Sequence, residues 1–240
     1  MTDAPAPLPL ALFWAQFHAR RNLQKKAFRG WAIACVLGYL SMRLGGRVPA
    51  AEAAEQILFF VVPLLSLFFG GGVLREEIED QTITYSFTRP LDRGWIYGAR
   101  VVAAMVPVLL LSMPFLVVEA TLLDGATGAR VIIAGLAATL AYTGVFALLG
   151  LLMKWSTWVG LAWLIFWESL VSLAPGFIGH LTLQSHLRGL TGFRPRPGLL
   201  SSLWQPPSAP VGLVVLLGVA AVSLVLGGVV VRRREIALEK

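Results

Sequence analysis

The longest strongly polar interruption in the sequence lies between two long apolar runs, in the stretch Arg75 to Arg100, REEIEDQTITYSFTRPLDRGWIYGAR. It holds the acids Glu76, Glu77, Glu79, Asp80 and Asp92 and the arginines Arg75, Arg89, Arg93 and Arg100. Side chains of both signs in one compact segment suit docking onto a partner protein, because complementary charges steer an encounter and fix its register. The alternative is a solvated connector with a capped helix. The acids of EEIED are too close in sequence to wrap one divalent cation: they point to several sides of a helix, and no second acidic motif completes an oxygen shell. A different chemistry attaches to Glu168, the one carboxylate well inside an apolar run. An ionised group there has to face a partner or a water-filled path. The candidate partners are a group on another helix or on a second subunit, Arg188, Arg194 and His180, or a backbone group exposed by a helix break; the alternative is that the carboxyl is protonated. Its role is then that of a gate or packing group, or of a direct contact to cargo.

Other reactive constellations are missing. A phosphate-cradling loop needs G-x-x-x-x-G-K-[ST], and the nearest stretch, Gly150 to Ser156, reads GLLMKWS without the glycine before its lysine. Nucleotide binding by that route is excluded, and no enzymatic activity or cofactor is expected of the chain. The histidines His18, His180 and His186 form no H-E-x-x-H, and no serine sits in G-x-S-x-G. With a single cysteine, Cys35, neither an intrachain disulfide nor a cysteine metal cluster can form.

Composition then fixes the setting in which these groups act. Of 240 residues 57% are hydrophobic and only 14% charged, with mean hydropathy +0.74, which leaves too few charges to coat a soluble globule. The chain reads as an integral membrane protein of the all-α class. Its net charge of +7 would suggest nucleic acid in a soluble protein. Here the basic residues flank apolar runs, where lipid headgroups and membrane orientation account for them. No nucleic-acid partner is expected. The opening MTDAPAPLPLALFWA has no positive n-region, so no cleaved signal peptide is expected.

Residues 10–28 place Leu10, Phe13, Trp14 and Phe17 at helical spacing ahead of His18, Arg20, Arg21, Lys25 and Lys26, the pattern of an amphipathic helix lying in the headgroup plane. Six apolar runs follow, at about 27–46, 56–74, 101–118, 131–153, 155–174 and 211–231. Each approaches the roughly 20 residues that a helix needs to cross the hydrocarbon core. The first is the weakest, because Arg29 and Arg43 must snorkel at its ends. With both termini in the cytoplasm, fourteen lysines and arginines fall inside and six outside, as the positive-inside rule prefers. Residues 75–100 are then cytoplasmic, and the proline-rich 175–210 is an outer segment that dips partly back toward the membrane. Pro63, Pro107 and Pro114 each remove a helical hydrogen bond, tolerable where neighbours satisfy the freed carbonyls. The small pairs Ala134 with Ala138 and Ser223 with Gly227 let helices pack closely.

The order of elements resembles the type-2 class of bacterial ABC-transporter permeases, which includes exporter permeases and the nitrous-oxide-reductase maturation permeases. The resemblance covers nearly the whole chain and is sharpest in EIEDQTITYSFTRPLDRGWIYGAR, where Glu77, Glu79, Thr82, Arg89, Pro90, Arg93, Gly98 and Arg100 take matching positions. FWESLVSLAPGFIGHLTLQSHLRGL and the terminal RRREI are further matches. Gln81 departs from the pattern, standing where a glycine commonly precedes the threonine. The resemblance implies a permease in the bacterial cytoplasmic (inner) membrane, working as a homo- or heterodimer with two cytoplasmic ABC ATPase subunits. ATP and Mg would reside in those partners. It also implies a coupling role for Glu76, Glu77, Glu79, Asp80, Thr82, Arg89, Pro90 and Arg93. A stand-alone secondary transporter and a membrane scaffold that docks an assembly ATPase are the alternative readings.

Overall fold

The computed structural model describes residues 7–45, 48–73, 92–171, 178–193 and 207–233, and all regular structure among them is helical. Helix α1 is Pro7–Gln24 and α2 is Lys26–Gly45. α3, Ala50–Gly71, includes a π-helical stretch at Ile57–Val61. α4 is Arg93–Thr121 and α5 is Gly125–Leu152. α6 runs from Ser156–Ala162 into a π-helical stretch, Trp163–Leu170. The nine-residue α7 is Leu183–Thr191, and α8 is Ala209–Arg233.

Four of these helices, α3, α4, α5 and α8, are long and apolar enough to cross a membrane, which makes this a multi-pass membrane protein in outline. Two of the six expected spans differ. The run at 27–46 does form α2, but its charged ends, Lys26, Arg29 and Arg43, dilute its apolar character, and none of its residues is buried. The run at 155–174 corresponds to α6, and residues 172–174 fall outside the described residues. The expected amphipathic helix ends earlier than 28, because the chain bends at Lys25 and α2 begins at once. The segment 175–210, expected on the outer side, is described only in part, and there it holds α7.

Helix α5 is the centre of the bundle. Of its most apolar window 67% is buried, against 28% for α8, and it packs on α3, α4 and α8 together. A helix so placed needs small residues all round rather than one apolar stripe. Ala134, Ala137, Ala138 and Ala141 are accordingly buried, as are Ser223 and Gly227 on α8. The closest approach is that of Gly150 on α5 to Gly71 on α3, where a Cβ on Gly150 would strike the Gly71 carbonyl. Only glycine fits there. The α4–α5 connection is tight: Asp124 caps α5 by accepting from the Thr127 amide at 3.1 Å.

Two helix prolines explain how the bundle is tied. Pro63 has no N–H for the carbonyl of Phe59, four residues back. That carbonyl lies in the π-helical stretch of α3 and accepts from the Gln184 side chain at 3.2 Å. Pro107 likewise deprives Ala103, and the Ala103 carbonyl accepts from the Asn22 side chain of α1 at 3.4 Å. In each case an amide from a neighbouring helix replaces what the proline removed.

Candidate functional site

Glu168 lies in the π-helical part of α6 and has no exposed surface. Its carboxylate accepts three hydrogen bonds: from the Tyr142 hydroxyl on α5 at 3.1 Å, from the Leu183 amide at 3.2 Å and from the Gln184 amide at 2.9 Å. The two amides are the first N–H groups of α7, which no turn of helix precedes to satisfy. A carboxylate there also faces the positive end of the helix dipole. The anionic side chain of α6 is therefore the cap of α7, assisted by Thr182, whose hydroxyl accepts from the Ser185 amide at 3.3 Å. The site is a clasp.

The remaining side chains of α7 complete it. Gln184 reaches the Phe59 carbonyl, and Arg188 lies 3.4 Å from the Glu55 carboxylate with its guanidinium 4.8 Å from the centre of the Phe59 ring. Those contacts bind α7 to the first turns of α3 while Glu168 binds it to α6. His186 Nε2 makes a 2.8 Å hydrogen bond with the His180 carbonyl. At the far end Gly192 takes φ +78° and donates to the Arg188 carbonyl at 2.8 Å, a left-handed stop that suits glycine. Eight of the nine residues of α7 are buried. Phe146 stacks on Tyr142 and Trp163 meets both rings edge-on, with centroids within 6.2 Å, and together they shield the clasp.

Of the partners expected for Glu168, the backbone amides of a helix start are the ones found. Arg188 pairs with Glu55 instead, His180 contributes its carbonyl to His186, and Arg194 is outside the described residues. Sequence reasoning missed Tyr142, Gln184 and Glu55; Gln184 falls inside the matching stretch FWESLVSLAPGFIGHLTLQSHLRGL, whereas Tyr142 and Glu55 stand in no motif.

It also missed a second buried carboxylate. Glu119, in the last turn of α4 and fully buried, accepts from the Tyr39 hydroxyl at 2.8 Å and is ion-paired with Arg43. Arg43 was expected to snorkel as an isolated charge. Its position one residue past the apolar run 101–118 was the available signal for Glu119.

At the opposite end of the bundle Asp92 caps α4, accepting from the Gly94 amide at 2.8 Å and from Arg232 of α8 at 2.9 and 2.8 Å. Partial burial pushes its carboxyl upward, but these hydrogen bonds outweigh it and hold the group below the usual range. Arg93 opens α4. The other coupling candidates, Glu76, Glu77, Glu79, Asp80, Thr82, Arg89 and Pro90, lie outside the described residues. Among the described residues no cluster of three or more His, Cys, Asp or Glu is arranged to hold a metal. Compared with models of known protein families and with curated proteins, the chain matches none.

Proposed function

We propose that this chain is the membrane-spanning permease subunit of an ATP-binding-cassette exporter, driven by a separate cytoplasmic ATPase. The observation that carries the reading is the charged segment 75–100 and where its described end leads. Asp92 starts the longest membrane-capable helix, α4, and is fastened to Arg232 at the end of α8. A force applied to the segment thus reaches two helices at once. In this reading α2 and α6 complete six spans, both termini and residues 75–100 are cytoplasmic, and α7 is the re-entrant part of an outer segment. Two copies, or two related chains, form the pathway.

ATP binding closes the ATPase pair, draws on the cytoplasmic ends of α4 and α8, and shifts the permease between inward-open and outward-open states by differential docking. The Glu168 clasp then serves as the outer gate. The decisive experiment is to ask whether a neighbouring reading frame encodes a P-loop ATPase, co-purify that ATPase with this chain and measure ATP hydrolysis in vesicles. Stable association and hydrolysis that changes on adding cargo support the reading, whereas a chain that transports without any ATPase refutes it. A secondary transporter is favoured by one observation, the pair of fully buried carboxylates Glu119 and Glu168. Both are already engaged by donors on other helices, an arrangement suited to holding helices together.

A further inference from the structure

We propose that the cavity between α1, α3 and α4 binds the phosphate of an anionic phospholipid headgroup. The cavity measures about 60 Å³ and is lined by His18, Arg21 and Asn22 from α1, Lys25 at the bend after it, Arg100 from α4 and Phe68 from α3. Three of these side chains are cationic. His18 is 9% exposed, and its Nε2 is buried with no hydrogen-bond partner among the described residues. Its ring is held by stacking on Trp14, centroids 5.4 Å apart, and Asn22 is held by its bond to Ala103, so the wall is preformed. A neutral imidazole can turn an Nε2–H toward a phosphate oxygen, and guanidinium and ammonium groups beside it are suited to charge-assisted hydrogen bonds with phosphate. Burial and the neighbouring Arg100, Arg21 and Lys25 bring the His18 pKa down to about 4, in keeping with a ring that is neutral at physiological pH.

The surroundings favour lipid over a soluble anion. The face of α1 turned away from the bundle exposes Leu12, Phe13 and Phe17 at 56%, 61% and 51%, side chains suited to the acyl boundary. Phe68 is 48% exposed in the last turns of the membrane-capable α3. The rim of the cavity is thus continuous with a lipid-facing surface, while its floor is basic, the arrangement by which pockets between membrane helices take anionic headgroups.

The test is binding of phosphatidylglycerol to the full chain in neutral detergent, read by native mass spectrometry and by the unfolding midpoint. Phosphatidylcholine of the same acyl chains and inorganic phosphate serve as comparisons. Phosphatidylglycerol should be retained and raise the midpoint, and the other two should not. The double variant R21Q/K25Q should bind roughly 30-fold more weakly, from the usual contribution of each basic side chain near a membrane surface. R233Q, at the end of α8, should bind as the parent does. Equal binding by R21Q/K25Q and parent, or an equal response to phosphatidylcholine, would overturn the site; an equal response to inorganic phosphate would overturn the lipid assignment. A second measurement avoids a folding defect in the double variant. The fluorescence difference between parent and W14F in vesicles should be quenched by brominated phosphatidylglycerol more than by brominated phosphatidylcholine, and equal quenching counts against the proposal.

Discussion

Glu119 on α4 and Arg43 on α2 form an ion pair in which the carboxylate is fully buried and the arginine side chain is 25% exposed. The asymmetry makes the two halves unequal. Arg43→Met strands a buried carboxylate with only Tyr39 for company, and should destabilise by about 3 kcal/mol, the range for breaking a buried pair. Glu119→Gln should cost less, because Arg43 can turn to water. R43M/E119Q should recover much of the loss in denaturant or thermal unfolding, and additive effects would refute the pairing.

Glu168→Gln changes an acceptor of three hydrogen bonds into a group with two donors of its own. Whichever way the amide turns, its NH2 meets an N–H or O–H donor, a mismatch worth about 1–3 kcal/mol. Hydrogen exchange of the Leu183–Thr191 amides should accelerate while the rest of the bundle is unchanged. Tyr142→Phe, which removes one donor and leaves the two amides, should have the smaller effect. If Glu168 also serves the gate, Glu168→Gln should lose transport with ATPase association intact.

Gln184 and Pro63 should be energetically coupled. Gln184→Leu removes the side-chain donor to the Phe59 carbonyl, at a cost of about 1 kcal/mol. In a Pro63→Ala background the restored N–H can supply that carbonyl from within α3, so the same change should cost measurably less. A double-mutant cycle in thermal unfolding reads the difference, and a coupling of zero would show that the amide is not a substitute for the lost bond.

His18 sets a pH dependence. Its pKa falls from 6.5 to about 4, chiefly through burial and then through Arg100, Arg21 and Lys25. Between these values the unfolded chain takes up a proton that the folded one refuses. Stability should therefore be constant above about pH 6.5, decline as pH drops toward 4 and level off below. His18→Gln should flatten this part of the profile, measured against parent across pH.

The proposed sidedness and docking can be checked directly. Single cysteines at Ser86 and Ser201 should label from opposite faces of oriented vesicles, and labelling from one face would refute the topology. Charge reversal at Glu77 and Glu79 together should leave insertion unchanged but release the ATPase, because like charges across an interface cost on the order of several kcal/mol.

The long apolar runs that became α3, α4, α5 and α8 were legible because hydropathy over about 20 residues is a local property. So were the tight helix contacts at Ala134, Ala138, Ser223 and Gly227, since small residues at four-residue spacing share a face. Pro63 and Pro107 announced broken hydrogen bonds. That Gln184 and Asn22 would answer them was not legible, because those residues stand 121 and 85 positions away in the chain. The same distance hid Arg43 from Glu119. Burial of α7 was half legible: Leu183, Leu187 and Leu190 in LQSHLRGLT form an apolar stripe at helical spacing, but that Glu168, Phe59 and Glu55 on other helices would accommodate its polar groups was not.

The bare contact of Gly150 with Gly71 acts as a fulcrum. With no side chain between the two backbones, α3 can pivot there, and Glu55 and Phe59 on the same helix lie about 24 and 18 Å from the pivot at about 1.5 Å per residue. A tilt of about 5° displaces them by about 2 and 1.6 Å. They hold Arg188 and Gln184 of α7, so a small rocking at one face of the bundle stretches those contacts past hydrogen-bond reach at the other.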